Sequence, residues 1–311
     1  MRAAAADGGG RQRDDRASRR AGHLKLLAVP NVSEGRDEGR IDTLERAFSN
    51  GVHVLDRHSD RDHNRTVFTL AGEPEALTAA LARGAAEAVR AIDMNVHEGV
   101  HPAVGALDVC PLVWIMPEQR DAARAAAIEV AGEIGDLGVP VFFYGELAAG
   151  PEHSERAYFR NGGLAELWLR MEAGELRPDR GPETPHRTAG ATLVTARPPL
   201  GAFNVELDSA DLDLARAVAA GLRESGGGPA SVRAIGLPLS HGRVQVSTNI
   251  HDPVAVPLGV VVERIRELAA ALGARPVEAE LIGLVPEAAL AHYPDDVPIR
   301  GFDPGQQTIE H

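Results

Sequence analysis

Two histidines four residues apart, with a glutamate beside the first, form the densest patch of reactive side chains in the sequence: His97-Glu98-Gly99-Val100-His101-Pro102. Letter for letter the patch matches H-E-x-x-H, a helical zinc motif. In that motif both imidazoles bind the metal and the glutamate activates a metal-bound water. Such chemistry needs a regular helix through both histidines. Gly99 between them costs about 1 kcal/mol relative to alanine in a helix interior, and Pro102 pushes His101 out of the α region. The helix before the patch is expected to end near Met94-Asn95, and no third ligand with its own helical setting follows. The residue types favour a rigid Gly/Pro loop that presents a histidine at a cleft. Histidine, with an unperturbed pKa of about 6.5, suits proton transfer at neutral pH. A zinc hydrolase using His97, Glu98 and His101 is the distant alternative.

The chain around the patch has 311 residues, enough for two domains, and 44% of them are hydrophobic, an ordinary globular content. Acidic residues outnumber basic ones 45 to 32, for a net charge of -13, which argues against a general nucleic-acid or membrane-surface binder. An anionic small substrate would need a local cluster of arginines to overcome that field. Cys110 is the single cysteine, so no internal disulfide is possible and a reducing cytoplasm fits. No apolar run reaches the roughly 18 residues of a membrane span. Residues 1–22 lack the apolar core of a signal peptide and are expected to be a disordered tail. Residues 296–311 are expected to be a second loose tail.

Hydrophobic periodicity orders the elements that must position the patch. Leu24 to Val29 reads as a strand, Asp37 to Ser49 as a helix, and Val52 to Asp56 and Arg65 to Leu70 as strands. Pro74 to Met94 is an alanine-rich helix that Pro74 can start, and Ala106 to Ile115 is a strand interrupted by Pro111. A helix (about Pro117 to Ile134) and a strand (Pro140 to Tyr144) extend this βαββαβ series. The second half repeats it: Leu200 to Leu207, Leu212 to Glu224, Ser231 to Leu239, Arg243 to Ile250, Val256 to Leu272 and Val277 to Leu284. The expected class is α+β, with two ferredoxin-like (βαββαβ) subdomains over residues 23–186 and 187–295. The Pro/Gly-rich stretch Leu176 to Gly190 reads as the connection, and a cleft is expected between the two sheets.

The motifs carry a family resemblance. Val29-Pro30-Asn31-Val32-Ser33-Glu34-Gly35 resembles the V-P-N-F-S-E-G opening of formiminotransferases, and His63-Asn64-Arg65-Thr66-Val67 their N-R-T-V strand entry. Asp93-Met94, His97, Gly99, His101-Pro102 and Gly105-Ala106-Leu107-Asp108-Val109-Cys110-Pro111 resemble the D-M-x-x-H-x-G-E-H-P-x-x-G-A-x-D-V-C-P block. Ala202-Phe203-Asn204-Val205-Glu206-Leu207, Gln245-Val246-Ser247-Thr248-Asn249 and Ile282-Gly283-Leu284-Val285-Pro286 are similar to later blocks. The match runs in order from about residue 26 to 293. It implies transfer of a formimino group from N-formimino-L-glutamate to N5 of tetrahydrofolate, a step of histidine degradation and one-carbon metabolism. It also implies a homodimer and a single activity without a cyclodeaminase domain.

The resemblance places the catalytic role on His101. It places folate binding on Gly181, Pro182, Glu183, Thr184, Pro185, His186, Arg187, Thr188, Ala189 and Gly190. Arg65, Arg160, Arg187 and Arg197 are candidates to pair substrate carboxylates, because guanidinium forks match carboxylates bidentately. Asn31, Asn64, His97 and Asn204 are further substrate-binding candidates. Asp56, His58, Asp60 and Asp62 are where a group orienting His101 is sought. Ser225-Gly226-Gly227-Gly228 is either an anion-binding backbone or a plain turn. Two departures flank the histidine: Val100 and Ala103 stand where the family has glutamate and arginine. They leave open a folate-binding paralogue with another one-carbon donor or no transferase activity.

Overall fold

The computed structural model describes residues 25–310; the tail expected over residues 1–22 lies outside them. The chain builds two sheets. Strands β1 (Leu26–Ala28) and β2 (Asn31–Val32) form one line broken at Val29-Pro30. Helix α1 (Glu38–Ser49) follows, its first turn capped by Asp37, whose carboxylate accepts from the Arg40 amide. Strands β3 (His53–Asp60) and β4 (Arg65–Gly72), helix α2 (Pro74–Ala91) and strand β5 (Leu107–Val113) come next. Then come α3 (Arg120–Asp136), β6 (Val141–Phe143), α4 (Arg156–Arg160), α5 (Gly163–Glu172) and β7 (Thr192–Arg197).

These strands make one sheet of seven. β1 and β2 both lie between β4 and β5, β3 pairs β4 on the outside, and β7 then β6 extend the β5 edge in parallel. β5 is not interrupted at Pro111. The proline sits opposite the β1–β2 break, where no ladder donor is demanded of it, and its carbonyl accepts from the Val29 amide at 3.0 Å. Helices α1, α2 and α3 bury their apolar faces on one side of the sheet, around Ile41, Phe48, Phe68, Leu81 and Val130. On the other side α4 and α5, to which the periodicity assigned no element, cover only the β5–β7–β6 edge through Phe159, Leu167 and Met171.

β7 corrects the expected connection. It joins the first sheet, so the chain leaves that sheet at Pro198-Pro199 and not within Leu176 to Gly190. The second sheet follows directly: β8 (Gly201–Leu207), α6 (Leu212–Leu222), β9 (Val232–Pro238), β10 (Val244–Ile250), α7 (Leu258–Ala270) and β11 (Pro276–Ile282). Its order is β11-β8-β10-β9, antiparallel throughout. Strict alternation assigns the faces. Phe203, Val205 and Leu207 point into the helix-covered core, while Ala202 and Asn204 line the opposite face.

The last segment is also not loose. Helix α8 (Pro304–Gln307) is capped by Asp303, the Val285 amide donates to Gln307 O at 3.1 Å, and the Ile309 amide donates to Val285 O at 3.0 Å. Ile309 packs against the small cluster of Leu27, Ala71 and Val113 on the first sheet. Its few apolar anchors have no regular period, which is why the sequence pattern missed them.

The uncovered faces of the two sheets oppose each other and bound the cleft. Polar links tie its walls. His63 Nε2 donates to Gln245 Oε1 at 3.1 Å, the Ser240 amide donates to Asp62 Oδ2 at 2.9 Å, and Arg233 pairs with Glu155 at 2.8 Å.

The loop between α2 and β5 is fastened by a glycine-to-glycine contact. Gly105 bridges Gly190, and a Cβ on Gly105 would lie 1.8 Å from the Ala191 carbonyl oxygen. Backbone offers no rotamer by which to yield, so Gly105→Ala is expected to destabilise the protein by about 2 kcal/mol or more, in the overpacking range. Urea unfolding measures it; a midpoint equal to wild type would contradict this close approach.

Candidate active site

The cleft encloses about 1030 Å³ of space open to solvent. His101 lines it, together with Asn31, Arg65 and Arg197 from the first sheet's side and Asn204 from the second. Residues 97–101 are an irregular loop. The two histidines of H-E-x-x-H therefore share no helix face, and the arrangement demanded by a helical zinc motif is not formed.

The electrostatic centre is Asp108. It is fully buried in β5, within the apolar run Leu107-Asp108-Val109. Oδ2 accepts from Arg65 Nη1 at 2.6 Å and from Arg160 Nη2, and Oδ1 accepts from the Val104 amide at 2.8 Å. Burial alone would raise the pKa of this carboxyl, but Arg160 and Arg65 outweigh burial and hold it below the usual range. Asn31 completes the set: Oδ1 accepts from Arg65 Nε at 3.0 Å and from Nη2 at 2.7 Å. Two guanidiniums against one carboxylate leave a positive excess beneath the cleft. Arg160 Nε is buried without a partner among the described residues, and burial pulls its pKa down to about 10.

That excess acts on His101. The ring is partly exposed because it lines the cleft, yet protein surrounds it on most sides. Desolvation first, then the charges of Arg65 and Arg160, push its pKa well below 6.5. The imidazole is therefore neutral at pH 7. Nδ1 donates to the Pro102 carbonyl at 2.9 Å, so Nε2 keeps its lone pair. The nearest ring is His63, with centroids 5.5 Å apart. Gly99 lets the loop approach: a Cβ there would lie 2.3 Å from the His63 carbonyl oxygen.

None of the four residues considered as orienting groups bonds His101. Asp60 accepts from the His63 amide at 2.7 Å, and Asp62 accepts from Ser240. His58 forms a 3.4 Å ion pair with Glu280 across the cleft. Burial works against charge on His58, but its contact with Glu280 holds its pKa above the ordinary value. Asp56 is raised by burial. The orienting contacts come from the Pro102 carbonyl and the His63 ring; the sequence pointed to Pro102 as a loop-stiffening residue but not to its carbonyl, and not to His63 as a neighbour of His101.

Other expected residues support the site from behind. Asn64, in the left-handed region at φ 49, accepts from the Gly35 amide at 3.0 Å. It also donates to the Glu98 carbonyl at 3.0 Å and to His97 Nδ1 at 3.3 Å. Burial lowers the pKa of His97. Gly181 to Gly190 do not line the cleft. They buttress the His101 loop: the Met94 amide donates to Thr188 O at 2.7 Å, Asn95 Nδ2 donates to Arg187 O at 2.8 Å, and His186 Nδ1 accepts from the Ala189 amide at 2.9 Å. Ser225 to Gly228 form a tight turn after α6, with Gly227 at φ 84, away from the cleft.

A two-sheet α+β protein with a cationic cleft and one neutral histidine is equipped to hold a small anion and move a proton. Comparison with known proteins gives the particular family. The N-terminal subdomain model of the formiminotransferase domain matches residues 25–197, and the formiminotransferase domain model matches residues 202–295. The chain belongs to the formiminotransferase family. It is 35% identical over 292 residues to a glutamate formimidoyltransferase of Streptococcus pyogenes serotype M1, spanning 91% of this chain and 96% of that one. It is 34% identical over 286 residues to one of Thermoplasma acidophilum, spanning 89% and 93%. A formimidoyltransferase-cyclodeaminase of Mus musculus is 38% identical over 275 residues, which cover 84% of this chain and 50% of that protein.

Asp108→Asn keeps the shape and removes the charge that Arg65 and Arg160 share. Breaking a buried ion pair from one side costs about 3–5 kcal/mol. A loss of that size in denaturant unfolding is expected; a loss under about 1 kcal/mol would contradict the central role of this carboxylate.

Proposed function

We propose that the protein is a glutamate formimidoyltransferase, moving the formimino group of N-formimino-L-glutamate to N5 of tetrahydrofolate, with His101 as general acid/base. The neutral His101 within a cationic cleft carries this reading, together with relatives that match nearly end to end. Tetrahydrofolate is the acceptor substrate and occupies the cleft. Gly181 to Gly190 serve as the outer support of the folate site through the His101 loop.

Attack of N5 on the formimino carbon forms a C–N bond and makes N5 acidic. His101 Nε2 takes that proton. The bond from the same carbon to the glutamate nitrogen then breaks, and His101 returns the proton to the leaving amine. A base that is already neutral at pH 7 needs no prior deprotonation. Arg65 and Arg160 favour the anionic substrates and discourage protonation of His101 from solvent. Free glutamate and 5-formiminotetrahydrofolate are the products.

The β11-β8-β10-β9 order, and the same βαββαβ series in the first half, support reading both halves as ferredoxin-like, with the boundary near Pro198. The homodimer is carried over from the family resemblance, and the single cysteine, Cys110, supports a reducing cytoplasmic setting. Among the described residues no helix is long and apolar enough to cross a membrane.

The test mixes purified protein with both substrates and follows methenyltetrahydrofolate after acid conversion of the product. His101→Ala is expected to lower kcat by about 10²–10⁴. Folate binding without turnover by the wild type would favour the binding-only reading that Val100 and Ala103 leave open. The base form of a histidine whose pKa is depressed persists until pH falls through the depressed value. The acid limb of kcat/KM assigned to His101 is therefore expected below pH 6.5, and a midpoint above 6.5 would contradict the assignment.

A further inference from the structure

We propose that Arg156 and Arg197, beside the Tyr144 ring, form a separate carboxylate-binding subsite at the carboxyl ends of β6 and β7. The inference deepens the transferase reading, because it says where one carboxylate of a glutamyl-bearing substrate docks.

β6 ends at Phe143 and β7 at Arg197, and the two run parallel. The crevice beyond the carboxyl ends of parallel strands is where open α/β sheets bind ligands. Tyr144, Arg156 and Arg197 all line the cleft there. Neither arginine meets a carboxylate among the described residues. The hydrogen bond of Arg197 goes to the Pro198 carbonyl at 2.9 Å, and the Arg156 guanidinium lies 5.8 Å from the centre of the Tyr144 ring.

The neighbouring acids are already engaged. Asp108 is filled by Arg65, Arg160 and the Val104 amide, and Glu155 is held by Arg233. Two guanidiniums facing one cleft without a counter-charge are costly unless an anion completes them. The local titration agrees: burial and then Arg156 bring His251 down to about 4, and burial brings Arg197 down to about 10. Guanidinium forks select planar, bidentate acceptors, which a carboxylate supplies. An arginine bound to Asp108 cannot do this, so Arg156 and Arg197 differ in kind from Arg65.

Two sources carry such a carboxylate: the formiminoglutamate donor and the glutamyl tail of folate. Calorimetric titration of the full chain with N-formyl-L-glutamate, and separately with p-aminobenzoyl-L-glutamate, distinguishes them. The proteins are wild type, Arg156→Ala, Arg156→Lys, Arg197→Ala and the outer-surface control Arg264→Ala, each checked for unchanged melting.

The expected result is an affinity loss of about tenfold or more in Arg156→Ala and Arg197→Ala for at least one probe. Partial retention is expected in Arg156→Lys, and no change in the control. Loss confined to the first probe assigns the subsite to the donor; loss confined to the second assigns it to the folate tail. Affinities within twofold of wild type for both probes, or no binding of either probe to the wild type, would overturn the proposal. No step here depends on turnover. A wild type that binds a probe through Arg156 yet transfers no formimino group would defeat the transferase reading and leave the subsite standing.

Discussion

The buried carboxylate of Asp108 is the constraint on which the site depends. A charge with no exposed surface is tolerable only when paired and hydrogen-bonded. Arg65 on β4 and Arg160 on α4 pair it, and the Val104 amide takes the remaining oxygen. One side chain thereby fixes a central strand, a helix on the cleft side of the sheet and the end of the His101 loop. The pairing is deliberately unequal in charge. Two cations around one anion leave a positive field, and that field adds to burial, the larger cause, in keeping His101 neutral in a protein whose net charge is -13. The global acidity and the local cationic cleft are thus compatible, because the cleft field is set at short range by low-dielectric surroundings.

The two sheets contribute in different ways. The first sheet supplies the chemistry: His101, Asp108, Arg65 and the strand ends beside Arg197. The second sheet supplies a wall, and it constrains His63 through Gln245, whose Oε1 accepts from His63 Nε2 at 3.1 Å. His63 in turn lies against the His101 ring. A change in the spacing of the walls is therefore transmitted to the histidine through one contact pair. The His58–Glu280 pair spans the same gap, adding to the Ser240–Asp62 and Arg233–Glu155 links between the walls.

Much of the fold was legible because its elements alternate cleanly. Phe203, Val205 and Leu207 alternate with Asn204 and Glu206, so β8 was readable to within a residue or two, and so were α6 and α7. β7 was hidden because the Pro/Gly-rich stretch before it read as a domain connection, although Thr192–Arg197 has ordinary strand composition. The closing segment was missed because Ile299, Phe302 and Ile309 act as isolated anchors without a period.

At the site, His101, Arg65 and Asn31 were found through their motif blocks. Asp108 lay inside one of those blocks, and an acid within an apolar strand is a signal in itself. The partners of His101 could not be read. A carbonyl one residue away and a ring 38 residues upstream announce themselves only in three dimensions. The same holds for Arg156, whose significance lies in the carboxylate it lacks.

The most direct test of this account is a histidine NMR titration of the free protein, with His101 assigned by comparison with His101→Gln. Ring nitrogen shifts report both the pKa and the tautomer. The structure predicts that His101 titrates well below pH 6.5 and carries its proton on Nδ1 at neutral pH. A midpoint at or above 6.5, or a proton on Nε2, would mean that burial and the neighbouring arginines do not hold the histidine in its base form.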